Sequence, residues 1–357
     1  MITRREMHRA RLGCVLAWGG AAVSWELSTP GPLGSSLASC AAFLVLAAGS
    51  ALYVRRGLVG ELRRAREIAG ATQRVLLRPL PGRIEGLALC AAQLSASRGA
   101  AVGGDLYEAV PTAYGVRVVI GDVRGHGLPA LGAAAAVLGS FREAAYDEAS
   151  LGGVLRRMER SLQRHLRERA RAEHPSACPA EPESPVAEDF VTVLLLEIAP
   201  DSTVQALNCG HPWPYLLRPA AAREPCGSLS PPRPFSASRG SAPDPDTGRP
   251  AQRYTDVRVL DGGETWPPLG VVPVPAAVQP RYLGQLHPGA ALLLHTDGAE
   301  DARDRHGRFF PLARFLAARQ TLTPARLVAG VHAALLRHTG GRLTDDVALL
   351  ALRNDRP

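Results

Sequence analysis

The stretch Gly121-Asp122-Val123-Arg124-Gly125-His126-Gly127 decides how the middle of this chain folds. Before it, Gly115 to Val123 alternates apolar residues with a period of two, which predicts a strand. After it, Leu128 to Tyr146 is rich in alanine, which predicts a helix. Glycines permit a tight turn between the two elements. The turn leaves the carboxylate of Asp122 at the end of the predicted strand.

Three other stretches also end a probable strand in acidic residues beside glycine or a second acid. The stretches are Gly103-Gly104-Asp105, Thr296-Asp297-Gly298 and Thr344-Asp345-Asp346. Carboxylates gathered in one place repel one another unless a cation neutralises them. Oxygen ligands of this kind suit hard divalent cations. The sequence therefore predicts a metal site built at strand ends.

The remaining elements come in runs of strands and runs of helices. Strands are predicted over 190–198, 203–207, 213–217, 290–295 and 347–352, and helices over 154–172, 312–318 and 324–338. Runs of this kind favour an α+β fold with antiparallel sheets. Two segments, near 174–188 and 219–254, are rich in Pro and Ser and lack apolar periodicity, so we expect flexible surface insertions there.

Composition excludes several classes of protein. The chain has 357 residues and no lysine, so all 41 basic residues are arginine. A P-loop or a Schiff-base enzyme needs a lysine. The formal net charge is +8, but only 5% of the residues are aromatic and no basic stripe is interleaved with aromatics, so we expect no nucleic-acid partner. The six cysteines have no C-x-x-C spacing, which argues against a zinc site or a disulfide framework.

The N-terminus carries two apolar runs, Leu12 to about Thr29 and Leu33 to Val54. Each is close to the roughly 20 residues of a membrane-spanning helix. Arginines flank the pair on both outer sides, which predicts a two-helix hairpin within 1–56 and a multi-pass protein of the cell membrane with its remaining domain in the cytoplasm. The alternative is a signal peptide or a lipoprotein anchor, because Leu37 to Cys40 imitates a lipoprotein cleavage box.

A helical linker is predicted over 57–81. Apolar and small residues recur at spacings of four and three from Leu58 to Leu76, and prolines at 79 and 81 end the helix. This seam either pairs with a second chain, giving a homodimer, or packs onto the domain that follows. That domain is expected to cover 82–357.

The region from about Glu67 to Arg353 resembles the SpoIIE-type branch of the PPM (PP2C-like) serine/threonine phosphatases. Seven segments match in chain order, which together is a specific signal: Gln73–Pro81, Val102–Tyr107, Gly121–Gly127, Asn208–Pro212, Pro268–Val271, His295–Gly298 and Thr344–Val347. The resemblance implies a PP2C-like sandwich of two antiparallel β-sheets flanked by α-helices, with metal ions bound between the sheet ends.

The resemblance also implies roles for individual residues. Asp122 would bridge two Mn²⁺ or Mg²⁺ ions, with further ligands from the carbonyl of Val123 and from Asp297 and Asp345. Asp105 would orient a water molecule or bind an additional ion. His126 would protonate the leaving oxygen or, alternatively, pack the turn. Asp346 is expected to be a strand-edge charge, and His211 to shape a turn.

The implied function is metal-dependent hydrolysis of phosphoserine or phosphothreonine. The expected partner is a phosphorylated STAS-domain anti-sigma-factor antagonist. Two alternatives stay open: a membrane-tethered module that binds a phosphoprotein with little or no catalysis, and a metal hydrolase for small phosphoesters. Glu108 and Asp301 depart from the family pattern but keep its charge.

Overall fold

Two units make up the chain in this computed structural model, Met1–Ile68 and Ala69–Pro357. The structure describes residues 41–56, 59–60, 75–94, 103–125, 127–173, 189–219, 254–318 and 323–356, together with positions 17, 20, 21 and 24. In the first unit, residues 41–56 are helical. The element labels below belong to the second unit.

Two antiparallel sheets form the centre of the second unit. A six-stranded sheet has the order β1-β2-β11-β10-β7-β8, with strands at Arg83–Ile84, Leu87–Leu94, Val347–Asn354, Ala291–His295, Tyr215–Pro219 and Tyr254–Val259. A five-stranded sheet has the order β3-β4-β5-β6-β9, with strands at Leu106–Thr112, Gly115–Val123, Val191–Ile198, Thr203–Cys209 and Arg281–Gln285.

Helices cover the sheets on their outer faces. The helices α1 to α5 span Leu128–Asp147, Leu151–Glu173, Gly298–Asp301, Leu312–Ala317 and Pro324–His338. Helices α1 and α2 lie over strands of the five-stranded sheet, and α5 lies over β2 and β11 of the other sheet. In this helix–sheet–sheet–helix layering, inner strands such as β4 and β11 are buried on both faces.

Strand β11 shows how the layers are held together, because all eight of its residues are buried. Leu350 and Leu352 belong to the core between the two sheets. Leu349 and Ala351 point the other way and join the core beneath α5. Alternate residues of a strand point to opposite faces, so one apolar strand serves both cores. Full burial of each leucine stabilises the fold by roughly 1.5–3 kcal/mol.

A buried arginine fixes the end of α1. The side chain of Arg117 is fully buried and forms an ion pair of 2.8 Å with Glu197. Its guanidinium also donates to the carbonyls of Ala145 (2.9 Å), Glu148 (2.5 Å) and Ala149 (3.0 Å). Carbonyls at a helix C-terminus lack intrahelical partners and carry partial negative charge. The guanidinium supplies both the missing hydrogen-bond donors and a compensating positive charge.

The segment before β1 packs onto the same unit. Leu77 is buried in the larger hydrophobic core, against which Leu76 and Leu80 pack. Arg142 on α1 donates to the carbonyl of Leu76 (2.7 Å) and to Glu108 (2.6 Å). Glu108, one of the two departures from the family pattern, therefore has an ion-pair partner in this structure.

The predicted α+β sandwich of two antiparallel sheets flanked by helices is confirmed. The strand predicted over 115–123 and the helix predicted over 324–338 have the same bounds in the structure. Other predicted elements shift by one to three residues. The insertions near 174–188 and 219–254 lie outside the described residues, apart from their edges, and so does most of the linker at 57–81.

The prediction of a multi-pass membrane location, with a two-helix hairpin, is wrong. Among the residues that the structure describes, no helix has the length and apolar content to cross a bilayer. The first apolar run, Leu12 to Thr29, lies outside the described residues except for isolated positions.

Candidate metal centre

One half of the site comes from the five-stranded sheet. Asp105 stands directly before β3, and Asp122 lies near the end of β4. The two strands are antiparallel with Leu106 opposite Gly121, so the start of one lies beside the end of the other. After Asp122 the chain turns through Gly125 and Gly127, whose φ angles of 101° and 87° favour glycine.

The other half comes from the six-stranded sheet. Strand β10 ends at His295 and continues into Asp297, whereas Asp345 and Asp346 directly precede β11. The two strands are antiparallel with His295 opposite Leu349. The amide of Ala348 donates to the hydroxyl of Thr296 at 2.9 Å, which ties the two strand ends together.

Two glycines let the halves meet. A Cβ at Gly103 would collide with Oδ2 of Asp346, which comes from the other sheet. A Cβ at Gly104 would collide with the carbonyl of Val123 and lie 2.9 Å from Oδ1 of Asp122. The amide of Val123 donates to the carbonyl of Gly104 at 3.2 Å. Any side chain at these positions would push the carboxylates apart.

Asp105 is the deepest of the acidic residues, with 2% of its surface exposed. Burial raises its pKa well above the usual range, and the charges of Asp122 and Asp346 raise it further, while a hydrogen bond with Thr296 lowers it. Its Oδ2 atom is buried and has no hydrogen-bond partner. A buried oxygen without a partner is costly unless a proton or a cation reaches it.

The neighbouring carboxylates show the same crowding. Burial, followed by the charges of Asp297 and Asp345, raises the pKa of Asp122 to about 7. Burial and the charge of Asp345 raise the pKa of Asp297. Five aspartates from two sheets therefore act on one another at one end of the sandwich. Ionising all of these carboxyl groups at once is unfavourable because their negative charges repel one another. A divalent cation among them would offset that repulsion.

The donor set fits Mn²⁺ or Mg²⁺ by its chemistry, because it consists of carboxylate and carbonyl oxygens with an unpartnered buried oxygen among them. Within the described parts of the chain, however, no three acidic, histidine or cysteine side chains converge tightly enough to hold an ion. Asp297 and Asp345 are exposed to solvent.

The structure brings together five of the six residues singled out from the sequence: Asp105, Asp122, Val123, Asp297 and Asp345. His126 lies outside the described residues. Asp346, interpreted above as a strand-edge charge, lies against Gly103 and raises the pKa of both Asp105 and Asp122. Thr296, which sequence reasoning missed, hydrogen-bonds Asp105; its position beside Asp297 was the available signal.

His211 holds a turn behind the site. Asn208 accepts from the His211 amide and donates to the His211 carbonyl, both at 2.8 Å. The imidazole Nδ1 lies 3.0 Å from the hydroxyl of Thr192, and Thr192 lies opposite Asp122 on β5. Burial lowers the pKa of His211 to about 3, so its ring is neutral near pH 7. His211 therefore supports the strand that carries Asp122.

Together, the two sheets between helices and the acidic residues at one end of the sandwich define the PP2C-like (PPM) class of protein phosphatases. Within that class, the family description "Stage II sporulation protein E (SpoIIE)" matches residues 112–247 and 249–355, which is more than half of the chain. The chain belongs to the SpoIIE family.

Solved structures share the fold at low sequence identity. The SiaA-PP2C domain of Pseudomonas aeruginosa is 17% identical, with 84% of this chain and 98% of that chain covered and a TM-score of 0.52. The PP2C phosphatase domain of SpoIIE from Bacillus subtilis, solved with a fragment of its regulatory domain, is 14% identical, with coverages of 75% and 63% and a TM-score of 0.50. These likenesses show the fold alone.

A third structure contains the RsbU and RsbW domains of a Mycobacterium tuberculosis protein. It is 22% identical, with 76% of this chain and 61% of that chain covered and a TM-score of 0.48. The chain thus spans less than two thirds of the length of that protein and of the Bacillus subtilis SpoIIE structure. Comparison with curated proteins gives no match.

Proposed function

We propose that this chain is a metal-dependent phosphatase that hydrolyses phosphoserine or phosphothreonine in a protein substrate. The observation that carries the proposal is the meeting of acidic residues from both sheets in a chain of the SpoIIE family. When bound, two Mn²⁺ or Mg²⁺ ions would supply positive charge at the phosphoryl oxygens and lower the pKa of water.

The chain's own residues would hold and balance that charge. Asp122, Asp297, Asp345 and the carbonyl of Val123 are the proposed ligands. Asp105, buried beside Asp122, would orient a water molecule or hold an additional ion. The exposed sides of Asp297 and Asp345 leave the phosphoryl group a path to the site. His126 stays a proposed proton donor to the leaving serine or threonine oxygen.

The proposed substrate is the phosphorylated serine or threonine of a STAS-domain anti-sigma-factor antagonist. Membership in the SpoIIE family supports this choice. A folded phosphoprotein also suits a site that opens at the end of the sandwich. Dephosphorylation would let the antagonist bind its anti-sigma factor and release a sigma factor.

The test measures phosphate release by the full chain from p-nitrophenyl phosphate and from a phosphoserine STAS-domain protein, with Mn²⁺, Mg²⁺ or chelator. We expect turnover that needs the metal and falls at least about a hundredfold in Asp122→Asn. The matched control is Asp256→Asn, whose carboxylate is 44% exposed on the edge strand β8, and which should keep full activity.

Three results would contradict the proposal. Equal turnover with metal and with chelator would remove the proposed metal centre. Saturable binding of the phosphoprotein without phosphate release would instead support the phosphoprotein-binding module considered above. A far higher kcat/KM for p-nitrophenyl phosphate than for the phosphoprotein would indicate a small phosphoester substrate.

A further inference from the structure

Helices α1 and α2 form a hairpin on the outside of the five-stranded sheet, with a concave groove of about 530 Å³ between them. Its floor consists of small residues of α1, and its wall consists of arginines of α2. We call this feature the arginine groove and define it by Ala136, Gly139, Ser140, Arg157, Arg160 and Arg164. It is separate from the carboxylates of the candidate metal centre.

The small residues make the groove possible. The hydroxyl of Ser161 donates to the carbonyl of Ala136 at 3.1 Å, so the two helices approach closely here. A Cβ at Gly139 would meet no atom within 4 Å, which shows that the space above this position is open. The backbone of a ligand can therefore lie close to the surface of α1 at Gly139, within reach of the arginine side chains of α2.

The three arginines differ in their partners. Arg157 already bonds Glu148 at 2.7 Å and Asp147 at 3.3 Å, at the C-terminal end of α1. Arg160 and Arg164 are exposed, and neither makes an ion pair with a carboxylate of the described residues. Among the residues that the structure describes, Arg160 donates only to the backbone carbonyl of Arg156, at 3.3 Å. Two guanidinium groups on this wall therefore keep most of their donors available.

Charge around the groove is uneven. The antiparallel hairpin places Gly132 of α1 beside His165 of α2, and Ala136 beside Ser161. Arg160 and Arg164 therefore face the first half of α1, where the sequence has no acidic residue before Glu143. Glu143 lines the other end of the groove. The end near Arg160 and Arg164 thus has no acidic residue of α1 beside it. Glu168 lies one turn beyond Arg164 on α2, and no ion pair joins these two side chains among the described residues.

The spacing of the two available arginines suits a polypeptide. Arg160 and Arg164 are one helical turn apart, about 6 Å along the axis. Alternate side chains of an extended strand are about 6.6–6.8 Å apart, and side chains at i and i+4 of a helix are about 6 Å apart. Arginine binds carboxylates through paired hydrogen bonds. The lining of the groove includes no aromatic residue on which a base would stack.

From the open floor, the available guanidinium groups and their spacing, we propose that the arginine groove binds an acidic segment of a partner protein, with two carboxylates of the segment on Arg160 and Arg164. A charged helical face exposed to water needs no partner, but this face is concave and has a floor without large side chains. The inference does not depend on the proposed phosphatase activity, because none of its residues belongs to the candidate metal centre.

The test uses the full chain and a fluorescein-labelled peptide of ten glutamates, with binding followed by anisotropy at 50 mM and 300 mM salt. We expect saturable binding that weakens at the higher salt concentration. The double variant Arg160→Glu/Arg164→Glu should raise the Kd at least tenfold. The matched control, Arg167→Glu/Arg171→Glu, makes the same charge change on the same helix outside the groove lining and should change the Kd less than twofold.

Thermal melts and turnover of p-nitrophenyl phosphate by both double variants serve as folding controls, and both should match the wild type. Equal weakening in the two double variants would overturn the proposal, because it would indicate attraction to net charge alone. An absence of saturable binding at 50 mM salt would overturn it as well. Tighter binding of a ten-nucleotide thymidine oligomer, lost in the groove variant, would replace the acidic protein segment with nucleic acid.

Discussion

At the scale of single residues, Asp122 shows how burial and neighbouring charge decide the state of a carboxyl group. Its pKa of about 7 has burial as its largest cause and the charge of Asp297 as the next. Because the folded state binds this proton more tightly than the unfolded state does, protonation of Asp122 stabilises the metal-free fold. That contribution is complete below about pH 4 and is lost as the pH rises through 7.

Asp122→Asn therefore has an effect on stability that depends on pH. In chelator, we expect the variant and the wild type to have similar free energies of unfolding near pH 4.5. At pH 8 the variant should be more stable, by on the order of 2–4 kcal/mol. Urea denaturation at several pH values measures this difference. If the unfolding free energies of the variant and the wild type change with pH in the same way, the raised pKa of Asp122 is contradicted. A pH-dependent difference of the same size in the control Asp256→Asn would contradict it as well.

Gly104 gives a second prediction at this scale. In Gly104→Ala the added Cβ meets the carbonyl of Val123 and Oδ1 of Asp122. We expect a loss of about 1–3 kcal/mol in the free energy of unfolding and at least a tenfold loss of metal-dependent turnover. The control is Gly330→Ala in α5, where nothing lies within 4 Å, and which should stabilise by about 0.5–1 kcal/mol. Full activity in Gly104→Ala would disprove the close approach of Gly104 to the carbonyl of Val123 and to Asp122.

The sequence was sufficient to locate the acidic residues, because each one lies in a short motif of acidic residues beside glycine or a second acid. The resemblance favoured Asp345 over Asp346 as a ligand, but the sequence did not reveal that Asp346 also lies close enough to raise the pKa of Asp105 and of Asp122. The two adjacent carboxylates differ in which way they point from the chain, and only the packing of Gly103 against Asp346 reveals that direction. Thr296 was missed for the same reason, since its bond to Asp105 joins two sheets.

At the scale of elements, the end of α1 depends on Arg117. Replacing it in Arg117→Met leaves Glu197 without its partner and three carbonyls without their donor. We expect a loss of about 3–5 kcal/mol, measured by chemical denaturation. The control Arg83→Met removes an ion pair whose arginine is 65% exposed, so its cost should be under about 1 kcal/mol. Similar losses in the two variants would refute this role.

Elements with strong periodicity were predicted well, and edge elements were not. Strand β4 and helix α5 have the predicted bounds because their apolar pattern is clear. Strand β9 contains Gly284 at a φ of 113°, is largely exposed, and pairs with β6 through a register shift. Such a strand is held by its neighbour's backbone and not by an apolar pattern of its own, so the sequence carries little signal for it.

At the scale of the whole molecule, the packing of Leu76, Leu77 and Leu80 bears on where a stable fragment begins. A fragment covering 82–357 lacks these contacts and the carbonyl that accepts from Arg142. We expect it to be less stable than the fragment 69–357 by about 2–4 kcal/mol, whereas 69–357 should match the full chain. Denaturation midpoints of the three proteins test this. Equal midpoints for both fragments would show that the preceding segment adds no stability.

The membrane prediction rested on apolar composition and on flanking arginines, but among the residues that the structure describes no helix is both long and apolar enough to cross a bilayer. By contrast, the sandwich was predictable from motifs spread along the chain, since each motif fixes a different strand end.

Strand β11 also determines when the domain can form during synthesis. Its residues 347–354 lie between β2 and β10, and Val347 pairs with Leu94. At about 5–20 residues per second, the ribosome makes these two partners roughly 10 to 50 s apart. Throughout that interval β2 lacks its β11 partner, and β10 lacks it as well once residues 291–295 have been made, so both strands have unpaired edges that can bind other chains. A nascent polypeptide that stops before residue 345 lacks β11, which lies in the middle of the six-stranded sheet, and lacks Asp345 and Asp346. We therefore expect the incomplete chain to bind chaperones during translation and to become active only after its last residues have been made.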